Sequence, residues 1–179
     1  MKNNIFTLLI PVFFVGCSGD DTVTPDHIDT SKAVANIMAK NNSNVTGAVT
    51  FIENEGRVSL TADISGLTPG NHAIHIHAIG DCSAADGSSA GGHWNPTNVN
   101  HGKWGTAPFH VGDIGNIIAD ASGSCTISRE TDLWCIDCDD ETKNIIGKSI
   151  IIHTGIDDFS SQPSGAAGAR FGCGEIVLK

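Results

Sequence analysis

The sequence predicts an all-β domain: an antiparallel sandwich or flattened barrel of about eight short strands, broken by two long loops. Three observations lead there. Short segments with the length and two-residue period of strands recur along the chain, clusters of turn-forming residues punctuate them, and no window offers an amphipathic helix of three turns.

The first four strands are read at 33–38, 45–52, 58–64 and 73–78. Asn41-Asn42-Ser43-Asn44, Glu53-Asn54-Glu55-Gly56 and Leu67-Thr68-Pro69-Gly70 separate them, each rich in residues that turn the backbone. Later strands are read at 116–120, 125–128, 145–153 and 174–178. Two stretches, 80–115 and 154–172, are too long for hairpin connections and have little strand character. Loops of that length in a compact domain usually serve a function.

Composition bounds the rest. A chain of 179 residues, 40% hydrophobic and 17% charged, suits one folded domain with a real core. Its 21 glycines fit a fold with many turns. Ten basic against 20 acidic side chains give a formal charge of −10, which argues against nucleic acid or an anionic membrane surface as a partner. A small anionic substrate is still compatible, because a local cationic site outweighs a diffuse distant charge.

The amino terminus reads as an export signal. Lys2 supplies a positive end and residues 5–15 an apolar run too short for a comfortable membrane span. The run ends at Phe14-Val15-Gly16-Cys17, which resembles a bacterial lipoprotein processing site with Cys17 as the lipidated residue. The expected division is a signal peptide at 1–16, a lipidated cysteine and flexible tether at 17–32, and a folded domain at 33–179. Cleavage would remove Lys2 alone among charged groups, taking the charge from −10 to −11. Membrane attachment would then rest on the lipid only, in a Gram-negative-type envelope, periplasmic or outer-surface. Export also favours disulfides among the six cysteines.

Histidines carry the strongest chemical signal. His75 and His77 flank Ile76 on one strand, so both rings face the same side, roughly 6–7 Å apart at Cα. The glycine-rich loop after them holds His93, His101, His110 and Asp113, and three nitrogens with one oxygen can close a tetrahedral zinc site. His153 ends a later apolar strand and precedes Asp157-Asp158. His27, in the tether, and His72, ahead of its strand, read as solvated side chains.

These motifs together resemble the copper/zinc superoxide dismutase family. The resemblance is carried by the paired strand histidines, GGHWNP, HG, HVGDIGN, IIGKSIIIH, DD and GAAGARFGCG, and by loop spacings of eight, nine and three residues from His93 to Asp113. It implies an eight-stranded Greek-key fold with one copper and one zinc per subunit. His75, His77, His93 and His153 would bind copper, and His93, His101, His110 and Asp113 would bind zinc. His93 would then use both ring nitrogens, which requires the imidazolate that two dications can sustain. Asp157 would hydrogen-bond one ligand ring of each metal, and Arg170 would hold an anion beside the copper. Cys82 and Cys173 would form the family's disulfide.

Two features depart from the family. Cys125, Cys135 and Cys138 have no counterpart; if all three stay within the chain they make one disulfide and one free thiol, with Cys125 pairing either of the others or Cys135 pairing Cys138. The loop after Asp158, Phe159-Ser160-Ser161-Gln162-Pro163-Ser164, lacks the charges many relatives use to guide superoxide, leaving Arg170, the metals and Lys103 for that task. The activity implied is dismutation of superoxide to oxygen and hydrogen peroxide by a redox-cycling copper bridged to zinc through His93. The alternative is a non-catalytic copper/zinc-binding surface lipoprotein, which needs the ligands but not Arg170. A homodimer is one assembly the resemblance leaves open.

Overall fold

A computed structural model describes residues 30–179, so the expectations placed on the signal peptide, Cys17, His27 and the tether up to residue 29 lie outside the described residues, while Ser31 and Lys32, read as the end of the tether, pair with Glu53 and Ile52 in the first strand. Eight strands form: β1 (Ser31–Ala39), β2 (Thr46–Asn54), β3 (Arg57–Ser65), β4 (Gly70–His77), β5 (Gly115–Ala119), β6 (Cys125–Thr131), β7 (Ser149–His153) and β8 (Arg170–Leu178). The only helical element among the described residues is a short 3-10 turn at Ser88–Ala90.

All ladders are antiparallel, and the strands run in the order β5-β4-β7-β8-β1-β2-β3-β6. The chain therefore crosses between the two halves after β3, after β5 and again after β6. The end strands β5 and β6 lie in contact, which nearly closes the sheet into a barrel and leaves little free edge. Alternation fills its interior. Val58, Leu60, Ala62 and Ile64 face inward from β3, Ile74 and Ile76 from β4, and Ile150 and Ile152 from β7, all 3% exposed or less.

Three strand starts differ most from the sequence expectation. The strand read from residue 145 begins only at Ser149, because Gly147 takes a positive φ of 74° and turns the chain first. Ile145 still fills the core, but from the loop side. The last strand begins at Arg170 rather than residue 174, since Arg170 pairs with His153 across a register shift. β4 begins at Gly70 rather than residue 73, which changes the environment of His72.

Cys82 and Cys173, 91 residues apart, are disulfide-bonded. Of the open pairings among the other three, the local one forms: Cys135 with Cys138, leaving Cys125 unpaired and buried.

Candidate metal centre

Alternation on β4 turns Ile74 and Ile76 into the core and aims His75 and His77 at the opposite face, where loops cover them. The loop after β4 is stitched back onto that strand. Trp94 donates its backbone N–H to Ile76 O at 2.9 Å, Ile76 donates to Gly112 O at 2.9 Å, and Gly112 donates to Trp94 O at 3.0 Å. Gly112 is required for this approach, because a Cβ there would stand 2.3 Å from Ile76 O. His93 sits beside His77 through an isolated β-bridge, and His153 arrives from the end of β7 on the same face.

The result is two donor sets sharing one ring. His75, His77, His93 and His153 each bring a ligand atom into a cluster in which all four lie within 4.8 Å of one another; His93, His101, His110 and Asp113 form a second such cluster. All seven residues are buried. Hydrogen bonding identifies which nitrogens converge. His77 Nδ1–H donates to Gly91 O at 2.9 Å, His153 Nδ1–H to Gly168 O at 3.2 Å, and His110 Nε2–H to Val99 O at 3.1 Å. His75 and His101 each donate Nε2–H to the Asp157 carboxylate, at 2.9 Å to Oδ2 and Oδ1 respectively. That leaves His75 Nδ1, His77 Nε2, His93 Nε2 and His153 Nε2 buried with no hydrogen-bond partner, all on one side. On the other side, the Nδ1 atoms of His93, His101 and His110 lie 2.8, 3.0 and 3.1 Å from Asp113 Oδ1.

Orphaned buried nitrogens are costly unless something takes their lone pairs. An all-nitrogen set of four suits copper, and a set of three nitrogens and one carboxylate oxygen suits zinc. The residues present fit both ions.

Electrostatics agree with that use. Burial lowers His75 to about 4 against the opposing pull of Asp157, lowers His153 to about 3, and holds His77 well below the ordinary range. At neutral pH these rings are uncharged, and their lone pairs are free to coordinate. Burial opposes protonation of His101 as well, yet the carboxylates of Asp113 and Asp157 outweigh it and raise the ring to about 9 in the metal-free protein. Burial would raise Asp113 and Asp157, but their histidine and backbone donors hold both well below the usual carboxylate range.

A cavity of about 580 Å³ opens above the shared ring, lined by His77, His93, His153 and Arg170 and by the neutral amides of Asn98 and Gln162. Arg170 donates from Nη1 to Gly87 O at 2.5 Å and from Nη2 to Gly91 O at 2.6 Å, which fixes the guanidinium at the mouth. Lys103 does not join it. Its ammonium lies over the Phe159 ring and lines a separate depression. Asp158 is a turn former, accepting from Ser160 N, Ser161 N and Ser161 Oγ.

His72 is a correction. It is 1% exposed, with Nδ1 2.9 Å from His153 O and Nε2 2.8 Å from Thr68 O. Because β4 starts at Gly70, the alternation that buries Ile74 and Ile76 carries His72 inward too. It braces the backbone of His153.

Three positioning residues escaped the sequence reading. Asn116 clasps the Asp157 backbone in both directions, at 2.9 and 2.8 Å, and Gln162 does the same for His101, at 2.8 and 3.0 Å. Gly165, at φ 67°, leaves room for the carboxylate: a Cβ would come 1.9 Å from Asp157 Oδ1 and 2.6 Å from His101 Nε2. Gly165→Ala is therefore expected to displace the carboxylate and weaken metal retention by ~10–100-fold, as loss of a ligand's hydrogen-bond partner does. Dialysis against graded chelator, followed by metal analysis, checks this; unchanged retention refutes it.

Comparison with known proteins bears on the same residues. A family model described as copper/zinc superoxide dismutase matches residues 45–176. Superoxide dismutase [Cu-Zn] 2 of Mesembryanthemum crystallinum is 38% identical over 160 residues, covering 83% of this chain and 96% of that protein. Superoxide dismutase [Cu-Zn] of Paramecium bursaria Chlorella virus 1 is 35% identical, covering 95% of this chain and 92% of that protein. An extracellular superoxide dismutase [Cu-Zn] of Brugia pahangi is 33% identical, covering 83% and 77%.

Proposed function

This chain belongs to the copper/zinc superoxide dismutase family, and we infer that the residues of its metal centre divide the work of superoxide dismutation as their geometry dictates. Its cofactors are copper and zinc, and its substrate is superoxide. The observation that carries the assignment of roles is the shared ring: His93 alone contributes a nitrogen to each donor set.

His75, His77, His93 and His153 would hold copper through the four nitrogens left without partners, and His93, His101, His110 and Asp113 would hold zinc. When bound, copper supplies one-electron redox chemistry and zinc a fixed second positive charge. The chain's own groups do the rest. Asp157 holds one ring of each set at a fixed angle and tautomer. Arg170, pinned by two carbonyls, offers its remaining N–H groups to an anion entering the cavity. His93 lines that cavity, and its Nε2, which carries no hydrogen bond, is the ring position at which a proton can be held for transfer to reduced oxygen. A protein that only stored the two ions would need every ligand but not this guanidinium.

Arg170→Ala tests the division. Superoxide turnover should fall by ~10–100-fold, the worth of a charge-assisted hydrogen bond, with copper and zinc contents unchanged. Turnover equal to wild type would refute the role; joint loss of metal would make Arg170 a structural residue instead.

The mature protein is exported and anchored through lipid on Cys17, with 1–16 removed, the residues from 17 to 30 as tether and the enzyme beginning at Ser31, the first residue of β1. Support comes from Lys2, the apolar run 5–15 and the Gly16-Cys17 junction, and from the word extracellular in the name of the Brugia relative. Among the described residues, no helix is long and apolar enough to cross a membrane. Mass spectrometry of the protein from membranes checks this: an acylated Cys17 at the amino terminus is expected, and an unmodified one refutes it.

A further inference from the structure

We propose that Cys135–Cys138 is a thiol–disulfide exchange site, taking a dithiol as its reductant, whose opening loosens the zinc loop through Trp134. The inference rests on the reading that His93, His101, His110 and Asp113 hold zinc.

The two disulfides differ in how much of the chain they hold. Cys82–Cys173 spans 91 residues and joins a fully buried Cys173 to a half-buried Cys82. Cys135–Cys138 spans three residues, and Cys138 is only half-buried, while Cys135 is 7% exposed. A bond that closes so short a loop constrains the unfolded chain little, so opening it costs the fold little. An entering thiolate reaches Cys138 Sγ. The Sγ–Sγ bond breaks as a mixed disulfide forms, and Cys135 leaves as thiolate and takes a proton. The reductant's second thiol then displaces Cys138. Two electrons and two protons have moved: the dithiol becomes a disulfide, and Cys135 and Cys138 become thiols. Asp137, Asp139, Asp140 and Glu141 surround the site with exposed carboxylates, which repel an anionic thiol. A neutral dithiol, or a protein dithiol in a cationic surface, fits better.

The bond is wired to the zinc loop by its neighbour. Trp134 precedes Cys135 and is 1% exposed; its Nε1–H donates to Val111 O at 2.9 Å, and Val111 follows His110. The Trp134 ring also lies 5.1 Å from Trp104, which lies 5.6 Å from Phe109, so the stretch between His101 and His110 packs against this side chain. Cys135 in turn is held by Lys143 O and by Ile145 N–H, and Cys138 O by the Asn144 amide. The disulfide ties these contacts into one unit.

The metal-loaded protein is to be treated with graded dithiothreitol or with reduced glutathione at equal reducing potential, acid-quenched, alkylated and peptide-mapped. Cys135 and Cys138 should be labelled at concentrations that leave Cys82 and Cys173 unlabelled, and more readily with dithiothreitol than with glutathione. Labelling of all four together, or of Cys135 and Cys138 only after denaturant is added, overturns the exchange site. Zinc release into a chromophoric chelator, without thiol, is to be compared for wild type and the double variant Cys135→Ser, Cys138→Ser. Release should quicken about three- to tenfold, below the loss caused by removing a ligand's direct partner; equal rates overturn the link through Trp134. If wild type retains no zinc, the assignment of the zinc ligands fails instead, and the peptide map still decides the exchange site.

Discussion

Replacing His93 with alanine is expected to abolish superoxide turnover, by about a thousandfold or more, given that removing only a ligand's outer partner costs ~10–100-fold. The large effect follows from position. Every other ring in the centre spends its second nitrogen on a carbonyl or on Asp157, whereas both nitrogens of His93 point into donor sets. The substitution therefore leaves each set with three members and removes the side chain common to both. The fold should survive, because His93 lies in the loop outside the barrel core. Turnover, metal content and the magnetic coupling between copper and cobalt placed in the zinc position separate the consequences. Coupling and turnover should vanish together; a variant that kept both would overturn the shared-ring reading.

Replacing Cys82 and Cys173 with serine should destabilise the domain by ~4–5 kcal/mol on the loop-closure model, since the cross-link spans 91 residues. The bond also fastens the segment that carries Gly87 and Gly91, the carbonyls on which Arg170 rests. Stability and activity should thus fall together. Denaturant unfolding of wild type and variant under matched metal conditions measures the first term; a midpoint unchanged at equal m-value would refute it.

The eight strands were legible because half-buried strands in an antiparallel barrel leave a two-residue rhythm in the sequence, and glycine-rich turns mark where it stops. The two donor clusters were legible because metal chemistry restricts residue type and the long loops had no other reason to be long. Boundaries were less so. Ile145 and Ile146 are as apolar as the strand they precede, and the backbone turn at Gly147 separates the two. His72 was misread by that same uncertainty, a strand start displaced by three residues reversing the apparent environment of a polar ring. Asn116, Gln162 and Gly165 left no signal, since each acts through a contact with a residue about 40 to 60 positions away, or through the space it leaves free. The pairing among Cys125, Cys135 and Cys138 likewise depended on where the chain turned, not on composition.

Asp157 gives one oxygen to a ring of each donor set. Uptake of the two ions is then a single coupled equilibrium: an ion that settles one ring steadies the carboxylate, and through it the ring awaiting the other. Thermodynamic reciprocity makes the help mutual, so whatever factor zinc contributes to copper affinity, copper returns to zinc. Filling order becomes a matter of supply and rate.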